Sequence, residues 1–299
     1  MRRRSTLRLL LALVGVGLIS CAEPADYRDE HLRIVSLSPA ITQVVIELGL
    51  ADAIIAVGDY DELAPRGVPS LGRFNDLDLE RLTTLAPTHV LATTGEVSLP
   101  DRVIQLGEAG RFALSDFDYP NDIAAALRLT RDVGVALGRA ERVEELVTSI
   151  EHQLESIEAL TAERDRPRAL LVFATSPVMV SGPGTVNVEL LRIAGGANAA
   201  ADARVTAPVY DREALRALAP DAIFLMEPGG TPWAGPGDPR LDPFRGLDLP
   251  ALQSGRVFVL NDPAVLLPGP SLATTAVSMA VALHPDLAGP IAEVFRDGS

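Results

Sequence analysis

A fourteen-residue pattern occurs twice in this chain, 133 residues apart. Asp78-Leu-Glu-Arg-Leu-Thr-Thr-Leu-Ala-Pro-Thr-His-Val-Leu91 aligns with Asp211-Arg-Glu-Ala-Leu-Arg-Ala-Leu-Ala-Pro-Asp-Ala-Ile-Phe224, and Asp, Glu, two Leu, Ala and Pro coincide. Each copy reads as one physical unit. The aspartate supplies a side-chain acceptor for the orphan N–H groups at a helix start. The two leucines, three apart, share one helix face. Proline ends the helix, and an apolar, β-branched run follows as a strand. A unit written twice predicts an α/β fold of two similar lobes, each with its own central sheet.

The surrounding residues extend the plan. Residues 33–38 read as a short strand stopped by Pro39, and 40–48 as a helix ended by Gly49. Residues 53–57 and 88–92 read as two further strands of a parallel sheet. The run at 168–173 is the second-lobe counterpart of the strand at 33–37. Between the copies, Val143, Leu146, Val147, Ile150, Leu154, Ile157 and Leu160 recur at spacings of three and four. That is one apolar stripe on a helix of about 23 residues, roughly 35 Å long at 1.5 Å per residue. A connection this long and regular is a rigid strut. The expected division is 32–137 for the first lobe, 138–162 for the joining helix and 163–299 for the second lobe.

The first twenty residues read as an export signal. Arg2, Arg3, Arg4 and Arg8 precede an apolar run, 9–20, that is too short to span a bilayer. Leu18-Ile19-Ser20-Cys21 follows and resembles the bacterial lipobox, which implies cleavage before Cys21 and a thioether lipid on it. Residues 21–31 then read as a polar tether. The expected location is the outer side of a bacterial membrane, facing the periplasm or the cell exterior, held by the lipid. No other stretch has 18 uninterrupted apolar residues.

Composition narrows the function. All 26 basic residues are arginine, against 40 acids, for a formal charge of −14. Loss of residues 1–20 removes four arginines and no acid, which leaves −18. Such a surface repels phosphate backbones and excludes nucleic acid as a partner. One cysteine excludes an internal disulfide and a multi-cysteine metal site. The four histidines, at 31, 89, 152 and 284, show no zinc-binding spacing.

Several ordered segments carry a family resemblance. Arg33-Ile-Val-Ser-Leu-Ser-Pro-Ala-Ile-Thr-Gln43, Leu48-Gly49, Val57-Gly-Asp-Tyr60 and Asp78-Leu-Glu80 resemble the first lobe of the helical-backbone substrate-binding proteins. These serve ABC importers of vitamin B12, haem and ferric siderophores. Ser181-Gly-Pro-Gly-Thr185, Glu189-Leu-Leu, Gly195-Gly-Ala-Asn198, Asp211-Arg-Glu213, Gly255-Arg-Val-Phe-Val-Leu260, Pro268-Gly-Pro270 and Leu283-His-Pro285 resemble the second. The resemblance implies two lobes joined by one helix, with ligand in the cleft between them and no cofactor. It implies that Glu80 and Glu213, one per lobe, dock on arginines of the importer's permease subunits. It also implies a bulky metal chelate as ligand, a corrinoid first and haem or a ferric siderophore next. The candidate stacking residues are Tyr60 and Phe74 from lobe one, with Met179 and Trp233 from lobe two. Ala207 and Pro208 stand where some relatives carry tryptophan, and Gln43 replaces a common glutamate.

Two other classes lack their marks in this sequence. An exported α/β hydrolase would carry a Gly-x-Ser-x-Gly elbow, and none occurs. The Ser181–Thr185 segment lacks the lysine and spacing of a phosphate loop and reads as a turn into a helix at 186–193. A metal-ion receptor of the same fold would need converging histidines and carboxylates. A haem receptor would need an axial Tyr or His, a role open to Tyr60.

Overall fold

The computed structural model describes residues 32–73, 76–95 and 98–297. Cys21 and the export signal, tether and lipobox expectations, like Phe74, lie outside these residues.

Lobe one runs β1 (Ile34–Ser36), α1 (Pro39–Glu47), β2 (Ile54–Val57), β3 (Gly72–Arg73), β4 (Asp76–Leu77), α2 (Leu79–Thr84), β5 (His89–Thr94), α3 (Asp101–Glu108) and β6 (Ala113–Asp118). Then come α4 (Ile123–Ala136) and α5 (Ala140–Thr161). Lobe two runs β7 (Arg168–Thr175), β8 (Val178–Val180), α6 (Val186–Ile193), β9 (Ala197–Asn198), β10 (Val209–Tyr210), α7 (Arg212–Leu218), β11 (Ala222–Met226), α8 (Pro250–Gln253), β12 (Val257–Leu260), α9 (Leu272–Leu283) and α10 (Ala288–Asp297).

The lobe-one sheet has the order β2-β1-β5-β6, parallel throughout. The lobe-two sheet has the order β10-β8-β7-β11-β12, with β9 pairing β7. Its β7, β11 and β12 are parallel, and β8 folds back antiparallel on β7. Side chains alternate between two cores, as the two-residue period of a strand requires. In β11, Ala222, Phe224 and Met226 enter one core, while Ile223 and Leu225 enter another. In β1, Ile34 and Val35 divide the same way.

The core shared by both lobes forms along α5. Val143, Val147, Ile150, Leu154 and Ile157 are buried in it, and Leu146 and Leu160 pack against it half-buried. At 1.5 Å per residue this helix of 22 residues is about 33 Å long. Gly134 on α4 is required by its N-terminal half: a Cβ there would lie 2.3 Å from Val143 Cβ. The C-terminal half belongs to lobe two, where Thr161 Oγ1 donates to Ile193 O at 2.7 Å.

The sequence repeat is a repeat of hydrogen bonds. Asp78 Oδ1 accepts from Arg81 N at 2.8 Å and Asp211 Oδ1 from Ala214 N at 2.9 Å. Ala86 and Ala219 both leave their helices at left-handed φ, 43° and 42°. Thr88 Oγ1 then accepts from Arg33 N at 2.9 Å, and Asp221 Oδ2 from Arg168 N at 2.9 Å. The capped helix, the Ala-Pro exit and the tie to the lobe's first strand occur once in each lobe.

Candidate ligand cleft

The carboxyl ends of parallel strands leave a crevice where connections diverge. Here the two sheets turn those ends toward each other. Several contacts among the described residues bridge the lobes. Gln43 of α1 meets lobe two at Ser271, with Oγ and Oε1 3.4 Å apart. Glu62, after β2, lies beside Gly229, after β11. Glu189 Oε2 of α6 accepts from Ile123 N, at the head of α4, at 2.9 Å.

One end of the cleft holds a cavity of about 280 Å³. Lobe one contributes Tyr119, Pro120 and Asn121, the link from β6 into α4. Lobe two contributes Phe173 on β7, Ser181 after β8 and residues 184–187 at the head of α6. Thr206, Ala207, Leu266 and Pro268 complete the wall. Backbone packing builds this wall. Gly182 N donates to Thr206 O at 2.8 Å, and a Cβ on Gly182 would lie 2.1 Å from Val205 O. Only glycine lets the two segments approach so closely. Partial burial pushes the Tyr119 phenol above its ordinary pKa, so it stays a neutral hydroxyl at neutral pH.

Tyr60 stands on the other side of the cleft, two residues before Glu62. It is 76% exposed and held at φ 63°, rare for a non-glycine residue. Its hydroxyl accepts from Arg73 Nη2 at 2.8 Å, and the Arg73 guanidinium lies 5.7 Å from the ring centroid in a cation–π contact. Nearby, the Thr42 hydroxyl lies 2.6 Å from Asp61 Oδ2 and 2.7 Å from Ser36 Oγ. Burial raises the Asp61 carboxyl above its ordinary value, against the lowering effect of the Thr42 bond.

The other candidates are dispersed. Met179 sits in β8, half-buried and paired with Val209. Trp233 is 38% exposed and lines a separate depression of about 290 Å³ with Pro236, Leu241, Leu252 and Val257. Val257 opens β12, so this depression adjoins the strand end opposite to the cleft. Arg240 fixes the loop that carries Trp233. It donates to Thr231 O at 3.0 Å and Pro232 O at 3.2 Å, and pairs with Asp238 at 2.6 Å and with Glu227. Arg240 holds the buried Asp238 carboxyl far below the usual carboxylate range. The structure therefore does not gather Tyr60, Met179 and Trp233 into one cavity. It gathers the Ser181–Thr185 segment, which reads in the sequence as a turn, with Ala207, which stands where some relatives carry tryptophan. Glu80 and Glu213 are both exposed in the first turn of capped helices.

Among the described residues, no cluster of three or more His, Cys, Asp or Glu side chains could hold a metal ion. His89 shares a contact of 2.9 Å with Thr88 Oγ1, and His284 one of 3.3 Å with Gly195 O. No helix among the described residues is long and apolar enough to cross a membrane.

Comparison with known proteins agrees with this architecture. The chain is 26% identical to an uncharacterized ABC transporter substrate-binding lipoprotein, YvrC, of Bacillus subtilis (strain 168), over 96% of this chain and 99% of that one. It is 27% identical to the vitamin B12-binding protein of Salmonella paratyphi A over 66% of this chain and 73% of that one. Its fold superposes on a periplasmic heme binding protein from Pseudomonas aeruginosa with a TM-score of 0.70 and 26% identity, covering 85% and 92% of the two chains. The periplasmic binding protein family model matches residues 34–264. With two α/β lobes, a joining helix and that match across most of its length, the chain belongs to the periplasmic binding protein family.

Proposed function

We propose that the protein is the substrate-binding subunit of an ABC importer that captures a bulky metal chelate, a corrinoid in the first place, between its lobes. One arrangement carries the reading: the carboxyl ends of the parallel strands of both sheets face a common cleft, with Tyr60 and Tyr119 at opposite edges of the lobe-one side. Tyr60 follows β2 and Tyr119 follows β6, three strand spacings apart, or roughly 14 Å. That breadth suits a tetrapyrrole and exceeds what a bare metal ion needs. The likeness to vitamin B12-binding proteins supports the corrinoid. Phe74 is a further candidate for stacking on the ligand.

Glu80 and Glu213 would offer one carboxylate per lobe to arginines of the permease, where a hydrogen bond to a charged group contributes about 1.5–3 kcal/mol. Lipidation at Cys21 would hold the protein at the membrane, and a relative named as a lipoprotein supports that.

Absorbance titration of the purified protein with dicyanocobinamide, cyanocobalamin and hemin tests the reading. Saturable, stoichiometric corrinoid binding is the expected result. Failure of both corrinoids to bind overturns it. Haem is the second reading, and Tyr60 favours it. An exposed phenol oxygen already bonded to a guanidinium suits axial ligation of ferric iron. Saturable hemin binding that Tyr60→Phe abolishes would establish haem instead.

A further inference from the structure

The inter-lobe cavity has a polar chemistry that the general reading leaves unassigned. None of its lining side chains is charged. Ser181 is only 3% exposed, yet its hydroxyl has no hydrogen-bond partner among the described residues and borders the cavity. The rest of Ser181 is engaged: its N–H donates to Leu171 O at 2.9 Å and its carbonyl accepts from Asn198 Nδ2 at 3.2 Å. Among the described residues no fully buried polar side-chain atom lacks a partner, so the small exposed part of Ser181 includes its hydroxyl, which is open to a ligand in the cavity.

The head of α6 lies beside it. Thr185 precedes the helix but does not cap it; its hydroxyl turns back to Gly182 O at 3.3 Å. Val188 N and Glu189 N already donate to Thr185 O at 3.0 and 3.1 Å. The N–H groups of Val186 and Asn187 therefore keep the unsatisfied donor capacity of a helix start. Thr206 and Asn187 add a hydroxyl and a side-chain amide to the same lining.

The electrostatics around these donors disfavour an anion. Glu189, in the first turn of α6, already holds Ile123 N at 2.9 Å. Asp122 caps α4 through Ala125 N at 2.6 Å. Both carboxylates thus bond the head of α4, and Glu189 also places a negative charge in the first turn of α6. Arg192 of α6 pairs with Glu158, away from the cavity. The adjoining depression below Tyr119 sets Asp116, Asp118 and Asp132 against Arg128. On the neighbouring loop, exposed Asp202 and Arg204 carry opposite charges.

We infer that this cavity is a socket for an uncharged carboxamide arm of the ligand and discriminates against a carboxylate arm. The carbonyl oxygen of such an arm accepts from the N–H groups at the head of α6. Its NH2 group donates to the hydroxyls of Ser181 and Thr206. A carboxylate would take the same N–H groups but would meet Glu189 and Asp122 with no cation among the lining residues. The inference rests on the corrinoid reading and sharpens it: the protein selects corrinoids by their amide arms and rejects ring systems whose arms are acids.

Calorimetric titration of the full chain with two dicyano-corrinoids tests this, one carrying amide arms (dicyanocobinamide) and one carrying free acids (dicyanocobyrinic acid). The amide form should bind at least tenfold more tightly. Ser181→Ala, with an unchanged melting temperature, should weaken the amide form several-fold and leave the acid form as it was. Glu189→Gln, which can still accept from Ile123 N, should strengthen binding of the acid form alone. Equal affinity for the two forms, or an equal loss of both in Ser181→Ala, overturns the socket while the corrinoid reading stands. Binding of neither corrinoid overturns that reading and the socket with it.

Discussion

The two lobes agree where they hold themselves together and differ where they meet a ligand. Each has an aspartate-capped helix, a left-handed alanine before proline, and a polar side chain that catches the first N–H of its leading strand. The main sheet of lobe one stops at four parallel strands. Lobe two adds the β8 and β10 strands, and the segments flanking them, 181–187 and 206–207, build its side of the cavity. The shared scaffold sets the positions of Glu80 and Glu213 alike on both lobes. The unshared additions make the cleft asymmetric, as an asymmetric ligand requires.

The largest test of that equivalence is functional. Changing Glu80 and Glu213 together to alanine should abolish chelate uptake by cells while the purified protein keeps its ligand affinity and melting temperature. Either change alone should give a partial and similar loss, because the lobes present their carboxylates alike. Normal import by the double variant would remove the docking role; a strongly unequal pair of single variants would show that the permease reads the lobes differently.

The joining helix gives the next largest effect. Ile157→Ala removes a fully buried side chain from the lobe-two half of α5 and should cost about 2–5 kcal/mol. Gly134→Ala forces a methyl group against Val143 in the lobe-one half and should cost about 1–3 kcal/mol. If α5 binds both lobes into one cooperative unit, each variant lowers a single unfolding transition seen by calorimetry. Two separated transitions, with each variant moving only its own, would mean that the lobes unfold independently.

The caps probe the repeat itself. Asp78→Ala and Asp211→Ala each delete one acceptor for a helix N–H and should each cost about 1 kcal/mol. Chemical denaturation should find the two losses equal within a few tenths of a kcal/mol. A clear inequality would show that the matching hydrogen bonds do not carry matching energies.

How much of this was legible depended on where each signal lies along the chain. The α5 stripe is local, seven apolar residues at helical spacing, and the helix runs Ala140–Thr161 as its pattern requires. The capped repeat is local too, and its aspartates and Ala-Pro exits do in space what they imply in sequence. β8 and β10, at three and two residues, are too short to show a period. The cavity was illegible for a different reason. Its lining comes from segments around 120, 173, 184, 206 and 267, joined only by tertiary packing, and more than half of it is Gly, Ser, Thr, Asn and Pro, residue types common in turns. Aromatic content alone marks Tyr60, Phe74 and Trp233, and the loop of Trp233 is fixed by the Arg240 clamp against its own lobe.

The smallest effect has opposite signs in the two lobes. In lobe two, Arg240 holds Asp238 below the ordinary carboxylate pKa. The unfolded chain therefore takes up a proton there first as pH falls, and this pair's stabilisation is lost on acidification. In lobe one, burial holds Asp61 above its ordinary value. The folded protein then keeps that proton longer than the unfolded chain does. The contribution of Asp61 is complete at pH below the ordinary carboxylate value, and it declines as pH rises through the raised one. At neutral pH wild type thus carries a half-buried ionised carboxylate that Asp61→Asn would replace with a neutral group able to keep bonds to Thr42 and to Leu63 N, now 3.1 Å from Oδ1. The gain should stay below about 1 kcal/mol, because the site is only part-buried and solvent screens its charge. Melting temperatures from pH 3 to 8 should show the variant level with wild type at the acid end and slightly more stable at neutral pH. Arg240→Ala should do the reverse, lowering the melting temperature at neutral pH and progressively less toward acid. A constant offset for Asp61→Asn across the whole range would mean that its carboxyl is no more deeply desolvated in the folded lobe than in the open chain.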